Sequence, residues 1–487
     1  MNTANQFDIK ENLLLFSLAL LPSLLLLLFI PPLFNYIDSF LYVNTNIAQL
    51  VPHYPPLYPL FCNAIWQTLG TAESTLFFFI GCQHLLYCAS ILYAAFAFAS
   101  FSGRVVFLLA MSTFLAGPVT CHSVLSESLV LPGIVFAIGA ILRICRESKS
   151  LLNWIVLFVA LIMAAATRFS AISFVTVLPL FALLNSWLKD QKTSIGNNKL
   201  VAISTGLGIA VFFAATSLQT VTCRAVGQRN RNLIGRPGYT LFEDISWSAM
   251  SKREKDVYIK KLQLRTKSPI IRKAIFLCVE HEGGGWLPIQ RRIKKMINKY
   301  NSHAPAASKF HMDADYCMNE IFYILVTTID NYTLQALKER FQKYLKRADF
   351  VSTHLEYAAV SVHFYKKSGL SDPRYAAFYD KLSSINVAKA KVFLEFKKSH
   401  VVKLNELVPP WGWALLVLVL CLAGQLFNRP LNRALLLAML IVAVTRLFAV
   451  SLVTLHLLRY GTPSLLLIHL ALACCLASMM EPRVQTL

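Results

Sequence analysis

Acidic residues are scarce in this chain. Its 487 residues carry 25 Asp and Glu against 47 Lys and Arg, and charged residues of either sign make up only 15%. With 56% hydrophobic residues and a mean hydropathy of +0.54, there is too little polar surface to cover one soluble core, which excludes an ordinary water-soluble globule. The eleven cysteines form no CxxC pair, and Cys474 and Cys475 fall inside an apolar run, so zinc-ribbon and dithiol redox classes lack their ligands. There is no Walker loop, no GxSxG and no zincin pattern, which leaves ATP-driven transport, serine hydrolysis and zinc proteolysis without sequence support. No repeat at a solenoid period is visible. The first apolar run has no small-residue cleavage site and reads as a retained signal anchor.

What the chain does have is apolar runs, several of them close to the ~20 residues that span a bilayer. They fall at Leu13–Phe34, Thr75–Phe101, Val105–Pro118, Val124–Leu142, Leu151–Thr167, Phe169–Trp187, Leu200–Leu218, Trp413–Leu426, Leu435–Ala449 and Ser464–Met480. Basic residues mark the loops expected inside: Arg104, then Arg143, Arg146 and Lys149, then Lys189, Lys192 and Lys199, then Arg429 and Arg433, and finally Arg483. The fold expected is an α-helical polytopic membrane protein of about ten transmembrane helices with both ends inside. Three regions follow: a membrane module over 1–219, a polar block over 220–408, and C-terminal membrane helices over 409–487.

The polar block holds 33 Lys and Arg against 17 Asp and Glu, so +16 of the formal +22 lies there. It is long enough to be a domain of its own and reads as mainly helical. Asn331–Arg347 and Gln290–Tyr300 are the clearest helix candidates, and Gly283–Gly285 a loop. Its charge favours anionic lipid headgroups, lipid phosphates or an acidic glycan over nucleic acid, which an outward-facing domain rarely meets. Cys223, Cys278 and Cys317 would allow one disulfide in an oxidising compartment. Asp313 and Asp315 beside His311 lack a further ligand at metal-binding spacing and read as a solvated loop, while His84, mid-span, reads as hydrogen-bonded core.

Between the first two apolar runs, over about 35–74, the chain reads NYIDSFLYVNTNIAQLVPHYPPLYPLFCNAIWQTLG from Asn35 to Gly70. An isolated acid, Asp38, lies just past a membrane-spanning run, and an aromatic and proline cluster, His53-Tyr54-Pro55-Pro56-Leu57-Tyr58, follows it. A carboxylate at the membrane–water boundary can stay ionised and still face a lipid-embedded substrate. Taken from the residues alone, Asp38 is a base or a solvated loop acid, and the aromatic cluster a pocket wall or an interfacial belt. Glu127, in His122-Ser123-Val124-Leu125-Ser126-Glu127-Ser128, stands on the same side as Asp38 and could equally begin a helix. Arg168, in Ala166-Thr167-Arg168-Phe169, interrupts two apolar runs, where a cation needs water, a partner or a phosphate. Arg446, His456, Arg459 and Tyr460 form a last cluster before the final run.

This layout resembles the GT-C superfamily of membrane glycosyltransferases, in particular the group of aminoarabinose transferases and protein mannosyltransferases. The pairing of Asp38 with HYPPLYPL, the Ser126-Glu127 element, the Thr167-Arg168 step and the Arg459-Tyr460 pair carry the likeness. It covers residues 13–218 and, more loosely, 430–480; the inserted block at 220–408 departs from it. The resemblance implies a sugar moved from a polyprenyl phosphate to a lipid-linked glycan, lipid A-type or surface polysaccharide acceptor, with inversion and without a nucleotide sugar. Asp38 would be the base and Glu127 an acceptor contact, or a helper to a divalent cation such as Mg or Mn where one is used. His53, Tyr54, Tyr58, Arg168, Arg459 and Tyr460 would bind the donor and its phosphate. Arg229, Arg231 and Arg236 would meet the acceptor, or simply form a solvated basic face. The implied place is a bacterial inner membrane, with site and polar block facing the periplasm. A transporter or flippase, or a polysaccharide polymerase or ligase, for lipid-linked glycans is the competing reading. A transporter would put its charges deep in the helices, and a polymerase or ligase would not require Asp38.

Overall fold

A computed structural model describes residues 9–33, 46–51, 54–70, 73–146, 150–188, 197–227, 252–279, 286–305, 314–327, 394–426, 433–453 and 461–481, with a few isolated positions between them. Among these residues the secondary structure is helical apart from one isolated parallel bridge. Among the described residues six helices are long and apolar enough to cross a membrane: Ile9–Phe29, Ser74–Ala95, Glu127–Cys145, Ala171–Leu188, Asn198–Ala225 and Thr462–Met479. Shorter apolar helices cover Phe101–Ser112, Leu151–Thr167 and Pro410–Ala423. The architecture is that of a helical membrane protein. The chain falls into two compact units, one formed by Met1–Asn230, Lys346–Arg446 and Gly461–Leu487, the other by Arg231–Leu345 with Leu447–Tyr460.

In the first unit α1 (Ile9–Phe29) buries only the stripe Leu15, Ala19, Ser23 and Leu26, while Leu13, Leu14, Leu21, Leu24, Leu25 and Leu28 are exposed. Leucines outward on an apolar helix are what lipid contact demands. After α2 (Ile47–Leu50) and α3 (Leu57–Leu69) come α4 (Glu73–Ala95), α5 (Phe101–Ser112), α6 (Ala116–Cys121), α7 (Glu127–Arg146) and α8 (Leu151–Thr167). Helix α7 is buried between α4 and α8. Small residues allow both approaches: a Cβ on Gly139 would lie 2.9 Å from Ala94 Cα, and one on Gly133 would lie 3.0 Å from the Ala160 carbonyl oxygen. Only four residues join α7 to α8, so they form an antiparallel hairpin with the start of α7 beside the end of α8.

The chain continues through a 3-10 helix (Phe169–Thr176), α9 (Val177–Leu188) and α10 (Asn197–Ala225). Two expected spans differ in detail. Val105–Pro118 is not one helix: α5 stops at Ser112, Thr113 to Leu115 turn, and α6 restarts at Ala116 with Pro118 in its first turn, where proline is tolerated. The run from Phe169 opens in 3-10 form before becoming α-helical at Val177.

The second unit contains α11 (Lys252–Gln263), α12 (Pro269–Val279), α13 (Trp286–His303) and α14 (Ala314–Thr327). They close on a core of Tyr258, Ile259, Leu262, Ile271, Ile275, Ile293, Ile297, Met318 and Ile321. The expected helix Gln290–Tyr300 lies inside α13, whereas the Gly283–Gly285 loop and most of Asn331–Arg347 lie outside the described residues. Cys278 and Cys317 are buried in this core, and all eleven cysteines are free thiols, so the disulfide allowed by the sequence is not formed. Back in the first unit, α15 (His400–Asn405), α16 (Pro410–Leu426), the first fourteen residues of α17 (Arg433–Val453) and α18 (Thr462–Met479) complete the helices. Helix α18 is almost wholly buried, and just beyond it Glu481 accepts from Ser100 N at 3.0 Å, Ser100 Oγ at 2.9 Å and Ala99 N at 3.3 Å.

Candidate functional site

The α7–α8 hairpin sets the site. Glu127 is the first residue of α7, where the unpaired amides of a helix start favour a carboxylate. Arg168 follows α8 in extended conformation, its amide closing the last turn on the Ala164 carbonyl at 2.9 Å. Antiparallel pairing brings them together: Arg168 Nη1 donates to Glu127 Oε1, and Ser126 Oγ donates to Glu127 Oε2 at 3.1 Å. The Glu127 side chain is 1% exposed and that of Arg168 16%. Two ions taken that far out of water hold only as a pair, and the partly open Arg168 is the one an outside anion could reach.

The loop leading into α7 is tied to the stretch that follows α1. Leu33 N donates to the His122 carbonyl at 2.9 Å, and Val124 N to the Leu33 carbonyl at 3.2 Å, forming the parallel bridge of Leu33 with Ser123. His122 Nε2 donates to the Ile30 carbonyl at 2.8 Å, which leaves Nδ1 bare to accept from His84 Nε2 at 3.0 Å. His84 thus sits in a hydrogen-bonded core position, as its mid-span placement implied. Burial holds the His122 imidazole down at about 4, partly opposed by its backbone partners at Ile30 and Pro31.

Gln83, beside His84 on α4, organises the floor. Tyr58 OH donates to Gln83 Oε1 at 3.0 Å, Ser128 Oγ donates to the same oxygen, and Gln83 Nε2 donates to the Cys121 and Ser123 carbonyls at 3.0 and 3.1 Å. Its hydrogen-bonding capacity is filled. Tyr42 packs edge-on against Tyr54 and Tyr58, with centroids 5.4 and 4.7 Å away, over a core that includes Cys62, Trp66 and Phe79. The stretch from Tyr54 to Leu60 is therefore the entry to and first turn of α3, with Tyr58 fully buried and Tyr54 partly exposed. Sequence reasoning passed over Gln83 and Ser128; an amide within an apolar span was the available signal.

Arg446 is 2% exposed. Its Nη1 donates to Ser464 Oγ at 3.0 Å, and its guanidinium lies 5.0 Å from the Phe174 ring centroid. Phe174 belongs to the 3-10 helix that begins directly after Arg168, so one short element connects the two arginines. Asp38, His53, Arg229, Arg231, Arg236, Arg459 and Tyr460 lie outside the described residues. The divalent cation that the resemblance implies finds no set of ligands among the described residues: no three His, Cys, Asp or Glu gather there, and Glu127 is engaged by Arg168 and Ser126.

Comparison with known proteins returns nothing: no family model, no curated protein and no solved structure matches this chain.

Proposed function

We propose that the protein is an integral membrane glycosyltransferase of GT-C type, moving a sugar from a polyprenyl phosphate to a lipid-linked glycan, lipid A-type or surface polysaccharide acceptor. The observation that supports this most is the part-buried Glu127–Arg168 pair at the open end of the α7–α8 hairpin, beside the bridge that anchors the first outer loop. That loop carries Asp38, the residue to which we assign the base.

Asp38 takes the proton of the acceptor hydroxyl as its oxygen forms a bond to the anomeric carbon. The bond from that carbon to the phosphate oxygen breaks, and the electron pair leaves with the polyprenyl phosphate. Arg168, Arg459 and Tyr460 are the residues to which we assign the task of meeting the growing negative charge on the leaving phosphate. Glu127 sets the direction of Arg168 and, when an anion draws the guanidinium away, is released toward the acceptor. Tyr54 and His53 border the donor, while Tyr58 acts from below by fixing α3 to Gln83. The basic block, with Arg229, Arg231 and Arg236, receives an acidic acceptor, and the chain works in a bacterial inner membrane with its site facing the periplasm.

The test is transfer by the purified chain in nanodiscs, using labelled polyprenyl-phosphate sugars and a lipid-glycan acceptor pool. Activity in the wild type that disappears in a folded Asp38→Asn variant supports both enzyme and base. Equal activity in the two would keep the enzyme and remove Asp38, and no transfer from any donor would favour a transporter.

A further inference from the structure

Helix α11 presents two different faces. At 100° per residue, Tyr258, Ile259 and Leu262 form one stripe, all buried in the second unit's core. Arg253, Val257, Lys260 and the following Leu264 form the opposite stripe, all exposed, with Val257 63% and Leu264 82% accessible. Leu264 extends that stripe because its amide still bonds to the Lys260 carbonyl at 3.1 Å. Asp256 stands at the edge of this face. Helix α12 repeats the mixture, with Arg272 and Lys273 exposed near the 42% exposed Phe276. On helix α13 the exposed residues Arg291, Arg292, Lys294, Lys295 and Lys299 are cationic, with Tyr300 37% exposed at its end.

Large aliphatic side chains alternating with cations on the outside of a folded unit match an anionic lipid surface, where apolar groups enter the acyl boundary and cations meet headgroup phosphates. A soluble polyanion would use the cations and leave Val257 and Leu264 in water. The unit also contains Leu447–Tyr460, and with it the last turns of the apolar helix α17; there Phe341 packs edge-on against Phe448, centroids 5.6 Å apart. We infer that the outer face of α11, made by Arg253, Val257, Lys260 and Leu264, docks on anionic phospholipid of the membrane that holds the chain. Anionic lipid would engage this face whether or not the chain transfers a sugar.

The experiment places the full chain in nanodiscs of phosphatidylcholine alone or mixed with phosphatidylglycerol, and follows amine acetylation of Lys260 by mass spectrometry. Labelling of Lys260 is expected to fall about five-fold in the anionic discs, the scale of one cation at a charged membrane, and to recover in high salt. Val257→Ser with Leu264→Ser, both at exposed positions and so harmless to folding, should abolish the protection while leaving the labelling of Lys294 and Lys295 unchanged. Equal labelling of Lys260 in both discs would overturn the proposal. So would protection that the serine pair does not alter, or protection that appears only when an acidic polysaccharide is added.

Discussion

Arg168 and Glu127, 41 residues apart in the chain, meet as a part-buried ion pair because α7 and α8 fold back on one another. Removing either partner takes the opposite charge from the other, and such losses run to about 3–5 kcal/mol. Glu127→Gln and Arg168→Gln should each lower the thermal midpoint in detergent by several degrees. The double variant should lose less than the two combined, because no uncompensated charge remains. A strictly additive double variant would show that the pair contributes no coupling. Arg168→Lys, which keeps the charge and loses the planar fork, should recover stability better than it recovers transfer.

His122 supplies part of the pH dependence. Its folded value of about 4 lies below the ordinary 6.5, so the folded state prefers the neutral ring. The stability it contributes is complete above pH 6.5 and is lost as pH falls through about 4. Protonation would also set a second N–H against His84 at Nδ1, where only acceptance is now possible. The expected outcome is a falling midpoint between those pH values, with amide exchange at Leu33 and Val124 rising first. His122→Gln should flatten that slope; a slope that survives the substitution would assign it to other groups.

Much of this fold is legible along the chain because lipid imposes a local rule: an apolar run of sufficient length must become a helix. Ile9–Phe29 and Thr462–Met479 follow it closely. The turn at Thr113–Leu115 does not, since residues apolar on either side of a break look the same as residues without one. Glu127 and Arg168 stand out as charges at the edges of apolar runs, yet their pairing depends on how close Gly133 lets the helices come. Gln83 is marked only as an amide within an apolar run: its partners, two hydroxyls and two backbone carbonyls, are 25 to 45 residues away.

Glu481 and Gly103 form a second interdependent pair. A Cβ on Gly103 would lie 2.7 Å from Glu481 Oε1 and 2.9 Å from Ser100 Oγ, the two atoms that hold the start of α5. Gly103→Ala should therefore dislodge the carboxylate and destabilise the protein. Glu481→Ala, which removes the acceptor for the exposed Ala99 amide and for the half-buried Ser100, should cost about 1 kcal/mol. Once the carboxylate is gone the added methyl has room on that side, so Gly103→Ala should cost much less in the Glu481→Ala background. Equal costs in both backgrounds, measured by thermal unfolding in the same detergent, would mean that the methyl meets some other obstacle.

Cys278 reports on the second unit. It is buried among Ile275, Cys317 and Met318, its sulfur 3.6 Å from Met318 Sδ. Burial, with Cys317 beside it, pushes its thiol well above the ordinary value, and the neutral thiol is a poor nucleophile. Native protein treated with a maleimide at neutral pH should leave Cys278 and Cys317 unmodified, and both should react once the unit is unfolded. Ile275→Ala, which opens the same core, should cost about 2–5 kcal/mol and speed alkylation of Cys278 through more frequent opening. Rapid modification of Cys278 in the wild type would be incompatible with a closed core around α12 and α14, whereas protection lost on Ile275→Ala would establish that this core is what shields it.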